Sequence, residues 1–206
     1  MNGFFKTRDK RSNEIEGYSI PDVWWSRVYE YPWAIQFAEG IAADMGAGWM
    51  DRPFKDMLAK HCDEVYAFDV DGRVLELQTA PNVHLICKDF TRKMDAYRGA
   101  FDTIFCISVL EDVPDIGKAL KEFEKCLKPG GRIVITMDVQ YDLAKPLGKY
   151  PGVNMEKFIW GIHRAGLQFV GDVDFDKMGA VVNPDFNLCC FHCVLERFDE
   201  SDAQMG

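Results

Sequence analysis

The sequence predicts an α/β fold: a doubly wound, mostly parallel seven-stranded sheet that closes in an antiparallel C-terminal hairpin. Three observations carry this reading. Apolar runs alternate with amphipathic stretches from residue 41 onward. The first run ends in a glycine turn, Asp44-Met-Gly46-Ala-Gly48, and the second, Val65-Tyr-Ala-Phe-Asp69, ends in an acid. Strands that alternate with helices pair in parallel through right-handed crossovers. The last two strand-like segments have no helix between them and so pair antiparallel.

Taken in order, residues 1–20 are polar and irregular, and a mobile extension is expected there. From Pro21 to Glu39 the aromatic content rises, and Trp33, Phe37 and Ile41 follow i, i+4, i+8, the spacing of one helix face. A strand follows at 41–45, then a helix at 53–61 whose Pro53 suits a first turn and whose Phe54, Met57 and Leu58 share a face. Residues 65–69 form the second strand, and a short helix at 72–78 is capped by Asp71. Strands at 83–87 and 101–107 come next. Pro114-Asp115 opens a helix with an Ile116, Leu120, Phe123 and Leu127 stripe, ended by Lys128-Pro-Gly-Gly131 before a strand at 132–137. Asn154 caps a helix that runs to Ala165 and stops at Gly166. Strand-like segments at 167–175 and 186–197 complete the hairpin, and residues 198–206 form a frayed tail.

Composition narrows the function. A chain of 206 residues suits one domain. Thirty-three acids against 24 bases give a net charge of −9, which repels phosphate backbones and anionic lipid surfaces. Neither nucleic acid nor membrane is expected as a partner. Seven cysteines without a spaced framework suggest reduced thiols and a cytoplasmic location. Cys189-Cys190-Phe-His192-Cys193 invites a metal reading, but strand alternation splits these side chains between two faces. They read as buried core residues, and no metal site is assigned.

The glycine turn points to a nucleoside pocket. Glycines let backbone approach a ligand, and an acid about 20 residues later accepts the ribose hydroxyls. Asp69 stands at that distance from Gly46. A dinucleotide site wants a third glycine where this chain has Asp51, and no Gly-Lys-Ser/Thr follows for a phosphate loop. An NAD-type oxidoreductase is therefore disfavoured. A ligand without pyrophosphate fits better, and S-adenosylmethionine (SAM) is one: adenosine, an amino acid, and a cationic sulfonium that acids help.

These residues together resemble the class I SAM-dependent methyltransferases, of the small type 11/12-like Rossmann kind, across roughly residues 35–197. Ala43-Asp44-Met-Gly46-Ala-Gly48 is similar to the family's first motif, and Phe68-Asp69 to its ribose-binding acid. Cys87-Lys-Asp89-Phe90 is similar to the adenine-binding segment. The stretch from Phe101 through Ser108 and Glu111 to Pro114 resembles the fourth-strand motif, and Leu127-Lys-Pro-Gly-Gly131 the turn into the fifth. The resemblance implies that Asp44 lies near the methionine amino group and that Asp89 and Phe90 meet adenine. Val70 and Ser108 complete the set of cofactor residues. Trp49 and Met50 stand where the family has a small residue and a glycine. Asp112 replaces a frequent histidine, so a base role there does not carry over.

Arg27, among Trp24, Trp25, Tyr29 and Tyr31, offers a planar guanidinium suited to a carboxylate. It is expected to bind the methionine carboxylate, with Trp25 and Tyr29 closing the site. Glu111 and Tyr141 follow strand tips on the ligand side; no catalytic base is named. An acceptor pocket is expected from residues 20–31, 108–114 and 138–153. The leading reading is methyl transfer to a small molecule. The alternative is a SAM-binding or catalytically silent relative that works through a partner.

Overall fold

The computed structural model describes residues 1–48, 53–145, 150 and 152–198. Trp49, Met50 and Asp51, and the tail beyond 198, lie outside the described residues. The elements are β1 (Gly3–Phe4), β2 (Glu14–Ile15), β3 (Tyr18–Ser19), α1 (Arg27–Ala34), β4 (Ile41–Met45), α2 (Phe54–Leu58), β5 (Glu64–Asp69) and β6 (Val83–Cys87). There follow β7 (Phe101–Ile107), α3 (Ile116–Cys126), β8 (Leu127–Gln140), α4 (Met155–Ala165), β9 (Leu167–Phe169), β10 (Val182–Asn183) and β11 (Leu188–Arg197). The main sheet runs β1-β11-β8-β7-β4-β5-β6, with β9 and β10 also paired to β11. Strands β4 to β8 pair in parallel, and β11 joins β8 antiparallel from Leu188 opposite Gln140 to Glu196 opposite Arg132.

Strand alternation builds two cores, one on each face of the sheet. Cys189, Phe191, Cys193 and Leu195 of β11 pack with Leu120 and Phe123 of α3 and Phe158 and Ile162 of α4. Cys190 and Val194 face the other way, toward Tyr31 and Ala34 of α1 and Phe54, Met57 and Leu58 of α2. The cysteines of the C-terminal cluster are thus buried residues divided between the two faces, as their alternation implies. Among the described residues no helix is long and apolar enough to cross a membrane.

Residues 1–20, expected to be mobile, are instead packed into the fold. Gly3 and Phe4 pair with His192 and Phe191 of β11. Phe4 and Phe5 are both buried, on opposite faces, so two adjacent rings cover both cores at the sheet edge. The Asn2 side chain donates to Val170 O at 3.0 Å and accepts from Val194 N–H at 2.9 Å. A strand of two residues is too short to show a period in the sequence.

Other boundaries shift for local reasons. The helix expected at 53–61 is regular only over α2, because His61 N–H bonds back three residues to Leu58 O and tightens the turn. Residues 72–76 form a 3₁₀ turn capped by Asp71, which accepts from Arg73 N–H at 3.0 Å. The strand at 132–137 lengthens to all of β8, with a register irregularity opposite Phe101–Thr103. The one at 167–175 shrinks to β9 before the left-handed Gly171.

Candidate functional site

Strand order reverses between β4 and β7: the chain leaves β4 toward β5 and β6, then returns to β7 on the other side. Ligands of open α/β sheets bind in the crevice outside the carboxyl ends of the strands at such a switch point. Here Gly46 follows β4 and Ser108 follows β7. Gly46 has φ +83°, and a Cβ there would come within 2.5 Å of Val109 Cγ2. Only glycine lets these two strand ends close together. Gly46 and Ala47 N–H groups both donate to Phe68 O, at 2.8 and 2.9 Å, which draws the turn toward the tip of β5.

That contact brings the acid into place. Asp69 Oδ2 accepts from Gly48 N–H and Oδ1 from Asp71 N–H, each at 2.9 Å. The carboxylate is thereby fixed on the wall of a cavity of about 440 Å³. Gly46, Gly48, Asp69, Val70, Asp89, Phe90 and Ser108 all line it, so seven of the nine expected cofactor residues converge on one space. Val70 offers an exposed apolar side chain at the rim. Asp89 accepts from Thr91 Oγ1 at 2.6 Å and Thr91 N–H at 2.9 Å; these bonds hold its carboxyl below the usual range and keep it ionised. Phe90 is braced by Phe123, ring centres 5.3 Å apart.

A second cavity of about 290 Å³ shares Ser108 and Asp112 with the first. Its aromatic walls are Trp24, Trp25, Tyr150 and Phe186, with Arg27 beside them. Two further acids complete it: Glu111, in the turn after β7, and Asp138 of β8. Glu111 Oε1 accepts from Asp138 N–H at 2.5 Å, while Glu111 Oε2 and Asp138 Oδ1 are buried with no hydrogen-bond partner among the described residues. Burial, reinforced by Asp138, pushes the Glu111 carboxyl up to about 8. Burial and the Glu30 charge push Asp138 up to about 7.

Known proteins can now be set beside this geometry. Residues 43–135, which span the glycine turn, Asp69, Asp89, Ser108 and Glu111, match the family model described as a methyltransferase domain. Over that stretch, just under half of its length, the chain is a methyltransferase domain. A ubiquinone biosynthesis O-methyltransferase of Erwinia tasmaniensis is 24% identical over 111 residues, 49% of this chain and 45% of that protein. The matched stretch thus spans about half the length of that relative. In fold the domain is similar to the [4+2]-cyclase SpnF (TM-score 0.67, 12% identity, 96% of this chain and 87% of that one). It is also similar to the N-methyltransferase NodS of Bradyrhizobium japonicum WM9, solved with S-adenosylhomocysteine (TM-score 0.58, 18% identity, 82% and 86%).

The two remaining expected cofactor residues of the methyltransferase domain lie apart from the first cavity. Asp44 is buried in β4, two residues before Gly46. Arg27 borders the second cavity, and its Nη1 is bound to Glu30. Tyr29 packs in the core against Phe5 instead of closing the site. Glu30 went unread in the sequence, and it organises the site. It is 0% exposed and accepts from Arg27, from Ser108 Oγ at 2.5 Å, from Thr136 Oγ1 at 2.6 Å and from Cys190 Sγ at 3.1 Å. Burial alone would raise its pKa; the Arg27 charge and the three side-chain donors hold it below the usual range. Ser108, at the wall common to both cavities, is held in the left-handed region at φ +45° by this anchor. An acid flanked by tyrosines in Tyr29-Glu30-Tyr31 was the one available signal.

Proposed function

We propose that this chain transfers the methyl group of SAM to a small-molecule acceptor. The observation that carries the reading is the pinned Asp69 carboxylate on a cavity at the switch point, with a second cavity across the Ser108 wall. In this reading Asp69 accepts the ribose hydroxyls, and the Gly46–Gly48 turn lets the ligand lie against backbone. Val70 and Phe90 flank adenine, and ionised Asp89 accepts from its amino group. Asp44 and Arg27 serve the amino-acid end, Arg27 through whatever part of its guanidinium Glu30 leaves available.

When bound, SAM supplies an already activated methyl carbon. The protein's task is alignment, and well-oriented proximity is worth ~7–11 kcal/mol. The acceptor sits in the second cavity, where the aromatic walls exclude water and strengthen the remaining electrostatics. The seven free cysteines fit a reducing cytoplasm.

A second reading is favoured by the likeness to a protein named as a cyclase: SAM or its product is held without methyl transfer. Calorimetric titration with SAM, S-adenosylhomocysteine and NAD tests the pocket, and NAD binding in place of SAM would overturn the proposal. Incubation with methyl-labelled SAM and a metabolite extract then separates the readings. Label in a small molecule supports methyl transfer, and SAM binding without transfer supports the silent alternative.

A further inference from the structure

The second cavity has a chemical character of its own. Its two acids are not a surface cluster. Each buries an oxygen that no group among the described residues satisfies, although a buried polar atom left without a partner costs ~1–3 kcal/mol. The neighbouring cation balances them only in part, because Arg27 is already paired with fully buried Glu30. Asp112 adds a third carboxylate at the wall shared with the cofactor cavity. Four aromatic side chains also line it: Trp24 and Trp25 from the segment before α1, and Tyr150 packed edge-on against Phe186 at 5.1 Å.

An anionic acceptor would be repelled here, and an apolar one would leave both oxygens unpaired. A cation would satisfy them, and aromatic faces favour a cation further. We infer that the acceptor is an amine, taken up as its ammonium between Glu111 and Asp138, and that methyl transfer is to nitrogen. This rests on the methyl-transfer reading above and specifies its substrate class.

The proton balance closes. The ammonium gives one proton to the Asp138 carboxylate, which exposes the nitrogen lone pair. That pair bonds to the methyl carbon as the carbon–sulfur pair returns to sulfur, and Asp138 then releases the proton to solvent. Each turnover converts one ammonium into a methylated ammonium and frees one proton. Asp138, pushed up to about 7 in the unliganded cavity, is close to the range in which a proton acceptor is most effective near neutral pH. Glu111, held higher, must lose its proton to pair with the incoming charge, so amine binding and proton release are coupled.

The test uses the full chain saturated with S-adenosylhomocysteine, with benzylamine, benzyl alcohol and benzoate titrated calorimetrically in two buffers of different ionisation enthalpy. The expected result is that benzylamine binds at least tenfold more tightly than the other two, with a buffer-dependent heat that reports proton release. Asp138→Asn and Glu111→Gln should each weaken benzylamine at least tenfold and leave SAM affinity within twofold. Equal or tighter binding of benzyl alcohol or benzoate overturns the inference, as does benzylamine binding that both variants leave unchanged. Intrinsic tryptophan fluorescence and a melting curve on each variant separate loss of the site from loss of fold. Should SAM itself fail to bind the wild type, the methyl-transfer reading falls first and takes this one with it. If SAM binds and benzylamine does not, only the amine assignment is lost.

Discussion

Replacing Glu30 by Gln removes one charge and keeps the shape. The wild-type carboxylate is 0% exposed and holds four partners from four parts of the chain: Arg27, Ser108, Thr136 and Cys190. Breaking a buried ion pair by removing one partner costs about 3–5 kcal/mol, because the other charge is left uncompensated. Gln still accepts from Ser108 and Thr136, so the low end, about 3 kcal/mol, is expected. For a chain of this size each kcal/mol shifts the melting temperature by about 2–4 °C, which makes the expected fall roughly 6–12 °C. Circular dichroism melts at pH 7 measure it. The double variant Glu30→Gln/Arg27→Met should be less destabilised than the sum of its parts, since neither charge is then left alone. SAM affinity should drop about tenfold, or ~1.4 kcal/mol, as Ser108 loses its anchor. The sign with pH follows from the lowered Glu30 pKa. The carboxylate's contribution is present above its unfolded value of 4.5 and is lost as pH falls through the lower folded value, and the Gln variant lacks that loss. A melting temperature within 2 °C of wild type, or strict additivity in the cycle, would refute this account of the site.

Four further outcomes are expected. Asp69→Asn should weaken SAM about tenfold or more in calorimetry, because hydrogen bonds to a charged group are worth ~1.5–3 kcal/mol. Gly46→Ala should destabilise by about 2–4 kcal/mol in urea unfolding, from overpacking against Val109 and a left-handed backbone. Phe4→Ala should cost about 3 kcal/mol in the same assay if the first strand belongs to the core; a change under 0.5 kcal/mol would mean it does not. His192, packed at a tilt against Phe5 and Trp33, is lowered by burial from 6.5 to about 4, so the unfolded chain binds its proton first and stability falls as pH drops through that window. Wild type minus His192→Phe should lose roughly 3 kcal/mol between pH 6.5 and 4, read from urea midpoints, and a flat difference would count against it.

Legibility in the sequence followed the range of the interactions. Strand and helix identities, the Gly46–Gly48 turn and Asp69 are local patterns, and the structure joins them through bonds between neighbouring strand ends. The second cavity was legible only as three stretches of chain, because its acids meet through the pairing of β7 with β8. Asp138, a lone acid inside an apolar strand between Met137 and Val139, was the signal that could have named it. Glu30 showed only as an acid between two tyrosines, because its partners include Ser108, Thr136 and Cys190, up to 160 residues away. The first strand failed for the opposite reason, being too short for any period to register.

The position of β11 has a bearing on how this protein is made. The last strand among the described residues sits inside the sheet, between β8 and β1, and not at its rim. The edge of β8 that faces β11 therefore stays bare until Leu188–Arg197, well after β8 in the chain, comes back to cover it. The opening residues wait as well, since Gly3 and Phe4 pair with His192 and Phe191 of this strand. Assembly of the acid-lined chamber belongs to that final closure too, because Cys190 contributes to the knot around Glu30. Truncation before Cys190 would remove one of the donors to Glu30 together with the strand that covers β8.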